Sequence, residues 1–156
     1  MRMRLFLFAG LLLAGCSVFD PGSDDLAEIR AARQAWARQG LHAYSFTYDI
    51  GCFCGTRVPT RVVVRADTVN ALFDARTGEV LTPEQMGWLG GEASFRRLYP
   101  TVDELFDRLE EAARKGNRVE FRFDPARSFP VEAFIDYIAR AIDDEVTYRI
   151  SELRPE

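Results

Sequence analysis

The chain has 156 residues, of which 24 are acidic and 20 are lysine or arginine, and its formal net charge is −4 at pH 7. This length favours a single domain that is large enough to bury a hydrophobic core. Because the balance is acidic and no dense basic patch occurs, the composition excludes the basic surface by which proteins usually bind nucleic acids.

The first residues follow the order of a bacterial signal peptide. Two arginines precede an apolar run, Leu5–Leu13, which is too short to cross a bilayer as a helix. The run leads into Leu-Ala-Gly-Cys, ending at Cys16, which resembles a lipobox, where the signal peptide is removed and the new N-terminal cysteine is lipidated. We therefore expect a signal peptide over residues 1–15, a lipidated Cys16 and a tether over residues 16–23. The alternative is an ordinary signal peptide followed by a cysteine by chance.

The residue after Cys16 bears on location. It is Ser17 and not aspartate, which by resemblance to enteric lipoproteins favours the outer membrane, facing the periplasm, over retention in the inner membrane. The tether reaches only about 25 Å when fully extended. The membrane is therefore the first expected partner, through the lipid anchor. No sequence motif for a cofactor occurs, so no cofactor is expected.

Residues 25–40 carry the first helical pattern. Asp25 and Glu28 have the spacing of a capping box, apolar residues recur at helical spacing up to Trp36, and Gly40 is placed to end the helix. We expect Trp36 in the core, since a tryptophan on an apolar helix face is usually highly buried.

Three strands are predicted next. Tyr44–Ile50 alternates aromatic or apolar residues with polar ones, which is typical of an antiparallel strand buried on one face. Arg57–Ala66 repeats the alternation, and a tight turn at residues 66–68 leads into Val69–Asp74. The short turns predict a meander.

Residues 75–100 are the least regular part of the chain. A short strand at Val80 and one helical turn from Thr82 are expected, followed by a glycine-rich stretch that carries large apolar groups. A loop of this length in a compact domain is usually functional or contains a missed element. It is either a flap over an open part of the core or a contact surface for a partner. The residues of that predicted contact surface are Met86, Trp88, Leu89 and Phe95.

The second half repeats the pattern of the first. Thr101 and Glu104 form a second capping box, and Gly116 ends the helix that follows. Three further strands are predicted: Arg118–Phe123, Val131–Ile138, which is expected at the centre of the sheet, and Glu145–Leu153. The order helix, three strands, helix, three strands predicts an α+β fold, with an antiparallel sheet of about six strands and two helices packed on one face. Residues 24–156 are expected to form this single domain.

Several short motifs, by their order and spacing, resemble an uncharacterised group of bacterial lipoproteins that carry domain of unknown function 6174. The motifs are Trp36, Tyr44-Ser45-Phe46, Cys52-Phe53-Cys54, Thr101-Val102-Asp103-Glu104-Leu105-Phe106, Phe123-Asp124, Phe129-Pro130, Ile135-Asp136 and Asp144-Glu145. The resemblance covers about residues 30–153 and departs at Ser128, where the family pattern leads us to expect glycine. It implies a lipoprotein with a small α+β domain, and it brings no known activity or site residues.

Cys52 and Cys54 form the most reactive-looking pair. In an oxidising envelope a disulfide is the expected state, and the flanking Gly51 and Gly55 let the backbone bend enough to join residues i and i+2. A structural disulfide is the first interpretation and thiol–disulfide exchange the second. Metal binding is the third, because two cysteines and a single histidine make an incomplete tetrahedral site.

The remaining polar residues show no catalytic constellation. His42, the only histidine, is expected to be partly buried and structural, and Asp143–Glu145 to be a solvated turn. The sequence therefore predicts a non-enzymatic binding or structural domain at the cell envelope. Its partner is expected to be an envelope protein that contacts residues 82–99 or the exposed face of the sheet. The alternatives are a thiol–disulfide oxidoreductase using Cys52 and Cys54, and an inhibitor of an envelope enzyme.

Overall fold

The computed structural model describes residues 21–52, 58–138, 141 and 143–156, so the predicted signal peptide, Cys16 and Cys54 lie outside the described residues. The elements of the described part are α1 (Pro21–Ala37), β1 (Ala43–Gly51), β2 (Thr60–Arg65), β3 (Thr68–Asp74), α2 (Glu92–Arg96), α3 (Val102–Arg114), β4 (Arg118–Phe123), β5 (Pro130–Asp136) and β6 (Glu145–Pro155). The α+β class and the order of helix, three strands, helix, three strands are confirmed. The short helix α2 is additional to the two helices that the sequence predicts.

The six strands form one antiparallel sheet with the order β3-β2-β1-β6-β5-β4. Each half of the chain supplies a meander of three strands, as expected, and the halves are joined where β1 pairs with β6. The strands at the middle of the sheet are therefore β1 and β6, and β5 is an interior strand, as expected, because it pairs with both β4 and β6.

One face of the sheet is covered by the helices. Tyr44, Phe46 and Tyr48 of β1 are each 1% exposed and point to this face. Trp36 of α1 packs edge-on against the ring of Tyr44 with 5.4 Å between centroids, and the Val102 N–H at the start of α3 donates to the Tyr44 hydroxyl at 3.1 Å. Both long helices thus contact the same side of β1, and the core lies between them and the sheet.

Helix α1 begins earlier than expected. It starts at Pro21, so Asp25 lies inside the helix and the predicted capping box at its start is wrong. Proline suits the first helical turn, because its backbone φ is already helical and its missing N–H forfeits no hydrogen bond there. The helix takes up residues 21–23 of the predicted tether.

Helices α1 and α3 run in opposite directions. Near the end of α1, Trp36 is 2% exposed, which confirms its place in the core, and its indole N–H donates to Asp103 in the first turn of α3 at 3.3 Å. Earlier in α1, Arg30 lies 3.6 Å from Glu110, which is further along α3. The start of α1 therefore lies at the same end of the domain as the end of α3. No helix in the described part of the chain is long and apolar enough to cross a membrane.

The contact between these helices contains a buried carboxylate. Glu110 is 8% exposed and accepts hydrogen bonds from Arg33 at 3.0 Å and Arg114 at 3.2 Å. Burial alone would raise the pKa of Glu110, but the hydrogen bonds from Arg33 and Arg114 outweigh it and hold that pKa below its usual value. The carboxylate is therefore charged at neutral pH and links the two helices.

Both predicted ends of α3 are confirmed. The Thr101 hydroxyl accepts from the Glu104 N–H at 3.1 Å, and the Glu104 carboxylate accepts from the Thr101 N–H at 2.7 Å. At the other end, Gly116 has φ +72°, and the Asn117 N–H donates to the Ala112 carbonyl at 3.0 Å. This hydrogen bond and the left-handed glycine are those of a Schellman motif. A cap at each end explains why the limits of α3 were predictable.

The turn between β4 and β5 holds a strained serine. Ser128 has φ +61°, the conformation in which glycine is favoured, and this is the position where the family pattern leads us to expect glycine. The Ser128 N–H donates to the Asp124 carbonyl and the Asp124 N–H to the Phe129 carbonyl, both at 2.8 Å. The turn thus keeps a shape suited to glycine although serine occupies it.

Candidate functional site

The four residues of the predicted contact surface do not share one surface. Met86 and Trp88 are partly buried against the core, whereas Leu89 is fully exposed. Phe95 is 2% exposed and packs edge-on against Tyr99, with 5.5 Å between ring centroids. Including Phe95 in a contact surface is therefore wrong. It belongs to α2, and the single turn of this helix directs the ring into the core.

Local hydrogen bonds close the segment 82–99 on itself. The Trp88 indole N–H donates to the Ser94 hydroxyl at 2.8 Å, and that hydroxyl donates to the Gly90 carbonyl at 2.6 Å. A Cβ on Gly90 would lie 2.4 Å from the Ser94 hydroxyl oxygen, so only glycine allows this close approach. The Arg96 guanidinium donates to the Val69 carbonyl of β3 at 2.9 Å. These contacts favour the flap interpretation, with Leu89 left outside.

Of the two predicted disulfide cysteines, Cys52 directly follows the end of β1. Cys52 lines a cleft of about 290 Å³ together with Asp143, Glu145 and Thr147. Cys54 lies outside the described residues, so the disulfide stays a prediction. Within the described ranges no three His, Cys, Asp or Glu side chains converge in a way that could hold a metal ion.

His42 is not placed as expected. It is exposed, and its Nδ1 lies 2.9 Å from a carboxylate oxygen of Asp67 in the turn between β2 and β3. The expectation of partial burial is therefore wrong. Asp143 and Glu145 are exposed and Asp143 has φ +72°, which agrees with a solvated turn, but Asp144 between them is half-buried and its carboxylate accepts from the Ile138 N–H.

The uncovered side of the sheet, here called the open face, carries a row of alternating charges across four strands. Asp49 of β1 is paired in register with Arg149 of β6, Arg149 with Glu132 of β5, and Glu132 with Arg122 of β4. Arg149 Nε lies 3.0 Å from Glu132, and Arg122 lies 3.7 Å from the same carboxylate. The row thus presents negative, positive, negative and positive groups in sequence.

Shallow clefts flank this charged row on the open face. One, of about 400 Å³, is lined by Arg122 and Arg149 and has Phe134 and Thr147 beside them. A second, of about 580 Å³, lies on the other side of the same two arginines and reaches Asp49. The open face therefore offers charged groups, a hydroxyl and an aromatic ring within one continuous surface.

The ion pairs of the open face are exposed. The side chains of Arg149 and Arg122 are 52% and 69% exposed, and that of Glu132 is 39% exposed. Exposed pairs of this kind contribute at most about 1 kcal/mol to stability. They can therefore exchange internal partners for those of another molecule at little cost to the fold.

Two tyrosines meet at the margin of the core, where Tyr148 is buried and Tyr137 is partly exposed. The Tyr137 and Tyr148 hydroxyls lie 3.2 Å apart, and the Arg108 guanidinium lies 5.3 Å from the centre of the Tyr148 ring. Burial and the hydrogen bond with Tyr148 raise the pKa of Tyr137 far above its ordinary value. The Tyr137 phenol stays neutral at physiological pH, so the pair offers no phenolate base from that residue.

Sequence reasoning named the exposed face of the sheet but not its key residues. Arg122, Glu132 and Arg149 are charged residues on strands whose other face is buried, and such residues are common on any half-buried strand. The signal that distinguishes them is their alignment across strands, which depends on the register of β4, β5 and β6, and the pairing between β1 and β6 then adds Asp49 to the row.

Comparison with protein families gives one match. A family model described as a family of unknown function, DUF6174, matches residues 28–155. The comparisons with curated proteins and with solved structures find no match for the chain. The resemblance drawn from the sequence motifs is confirmed at the level of the domain, whereas the lipobox and the signal peptide stay predictions.

Proposed function

The chain belongs to the DUF6174 family, for which no function is established, and from that premise we propose that it is a lipid-anchored protein of the bacterial cell envelope that binds a partner protein through the open face of its sheet. The lipobox ending at Cys16 supports the anchor. The domain acts by binding and not by catalysis.

The charged row on the open face is the observation that carries this proposal. It alternates in sign from Asp49 to Arg122 across four strands, and its groups are exposed enough to re-pair. Complementary charges across an interface mainly set register, specificity and association rate. The partner that fits is an envelope protein whose charges alternate with the opposite signs, so that each faces an oppositely charged group of the row. It would also offer a hydrophobic group to the ring of Phe134. If that partner is an enzyme, the domain is its inhibitor.

A photo-crosslinking amino acid at Thr147 tests the proposal in cells that produce the full chain. Thr147 lies on the open face, in register with Gly51 and Phe134. We expect a discrete protein adduct from this position, and its loss when Arg149→Glu is added, because the reversed charge places three acidic residues in a row.

The matched control is the same amino acid at Gln34, which is exposed on α1 and faces away from the sheet face in question. Equal adducts from both positions, or an adduct at Thr147 that Arg149→Glu leaves unchanged, would refute recognition by the open face.

Thiol–disulfide exchange by Cys52 and Cys54 is the second candidate, because Cys52 lines an open cleft. We rank it lower, since Asp143 and Glu145 line the same cleft and negative charge disfavours the reactive thiolate. The reduction potential of the pair separates the two functions. A value below about −300 mV marks a structural disulfide, whereas a value near those of known exchangers supports redox chemistry.

A further inference from the structure

The end of the domain that lies nearest the predicted anchor can be identified from the chain. Five residue steps separate Cys16 from Pro21, the first residue of α1. Even fully extended they span at most about 18 Å. If Cys16 carries lipid, as the proposed function holds, the start of α1 lies within that distance of the membrane surface.

The same end of the domain includes the exit of β5. Because α1 and α3 run in opposite directions, the start of α1 lies beside the end of α3. Directly after α3, the Asn117 side-chain amide donates to the Tyr137 carbonyl at 2.6 Å, and Arg118 is in register with Asp136. Tyr137 and Ile138 therefore follow β5 at the anchored end.

These two residues are unusually exposed for their type. Ile138 is 61% exposed and Tyr137 39% exposed, and only Val80 and Leu89 join them as exposed large hydrophobic residues in the described part of the chain. Leu89 lies in the segment 82–99, which is fixed to β3. The strands β3 and β4 form the two opposite edges of the sheet. Burying an isoleucine side chain is favourable, and tyrosine suits the boundary between lipid and water.

We infer that Tyr137 and Ile138 contact the phospholipid surface and form a second attachment beside the lipid anchor. This inference rests on the proposed lipidation of Cys16. The charged groups beside these residues are Arg118, Asp136 and Asp144, whose carboxylate accepts from the Ile138 N–H, so the contact is apolar and no anionic lipid is needed for it. A lipid anchor that is joined by a second membrane contact holds more firmly than a single chain does.

The test uses the full chain, produced in bacteria with its own signal peptide and then placed in phosphatidylcholine vesicles. A photo-crosslinking amino acid replaces Ile138 in one variant and Leu89 in the control, and incorporation of labelled fatty acid is measured in both. Because both residues are exposed, neither replacement disturbs the core. We expect lipid adducts at position 138 to exceed those at position 89 several-fold, and to fall to the level of position 89 in the Cys16→Ala chain.

The outcomes separate the inference from its premise. If fatty acid enters the chain but position 138 gives no more lipid adduct than position 89, the membrane contact is refuted and the anchor stands. If no fatty acid enters, the anchor itself is wrong and the inference fails with it. A protein adduct at position 138 in place of lipid would also overturn it.

Discussion

Replacing Glu110 by glutamine tests whether the ionic contact between α1 and α3 stabilises the fold. The substitution keeps the size of the side chain but removes the charge that accepts from Arg33 and Arg114. Breaking a fully buried ion pair costs about 3–5 kcal/mol. Here the two arginine side chains are 32% and 51% exposed, so water can solvate them once the carboxylate is gone. We expect Glu110→Gln to lower the free energy of unfolding by about 1–2 kcal/mol.

Urea unfolding followed by tryptophan fluorescence measures this change, because Trp36 of α1 donates to Asp103 of α3 and reports on the helix pair. Asp107→Asn is the matched control. Asp107 lies 2.7 Å from the same Arg33, but its side chain is 63% exposed, so we expect a loss of no more than about 0.5 kcal/mol. Equal losses for the two variants would refute the argument from burial.

The pH dependence of the same variant gives an independent check. The folded pKa of Glu110 is held below the usual glutamate value of about 4.3, so its contribution is present above that pH and is lost as the pH falls through the lowered value. The difference in stability between the wild-type chain and Glu110→Gln must therefore shrink in acid. A difference that stays constant or grows as the pH falls below about 4 contradicts the assigned protonation.

Three further predictions concern local structure and the open face. Ser128→Gly should raise the free energy of unfolding by about 0.5–1 kcal/mol, because glycine adopts the left-handed conformation without strain. The gain is limited because glycine also makes the unfolded chain more flexible. A lower urea midpoint would show that the turn does not favour glycine. Gly90→Ala should speed proteolysis within residues 82–99, since the new Cβ displaces the Ser94 hydroxyl, and cleavage at the wild-type rate would mean that the segment is not closed as described. Arg149→Ala should change stability by less than about 1 kcal/mol while it removes the adduct at Thr147; a large loss of stability would assign the charged row to the fold and not to binding.

The features that the sequence predicted best depend on neighbouring residues. The capping box at Thr101, the glycine at Gly116 and the limits of β4 follow from contacts within a few residues. The start of α1 is also a local feature, but the spacing of Asp25 and Glu28 does not identify it, because that spacing occurs inside a helix as well as at its start. Pro21, which suits the first helical turn, is the local signal of the true start.

The assignment of Phe95 failed for a different reason. Its surroundings are rich in glycine, which favoured a loop, and the five residues of α2 are too few to show a helical period. Only packing against Tyr99 determines that this ring is buried. The same limit applies to Leu89, which resembles Phe95 in sequence context and is fully exposed.

The sequence by itself determined the class of fold, the order of the elements and which side chains of each strand share a face, because strand alternation and helix caps are properties of short segments. The tertiary structure alone decided that β1 lies beside β6, and so brought Asp49 to Arg149 across 100 positions of the chain. It also decided that Ile138 lies at the end of the domain where α1 begins. Pairing between distant strands depends on how the whole core closes, and no local pattern in this chain encodes it.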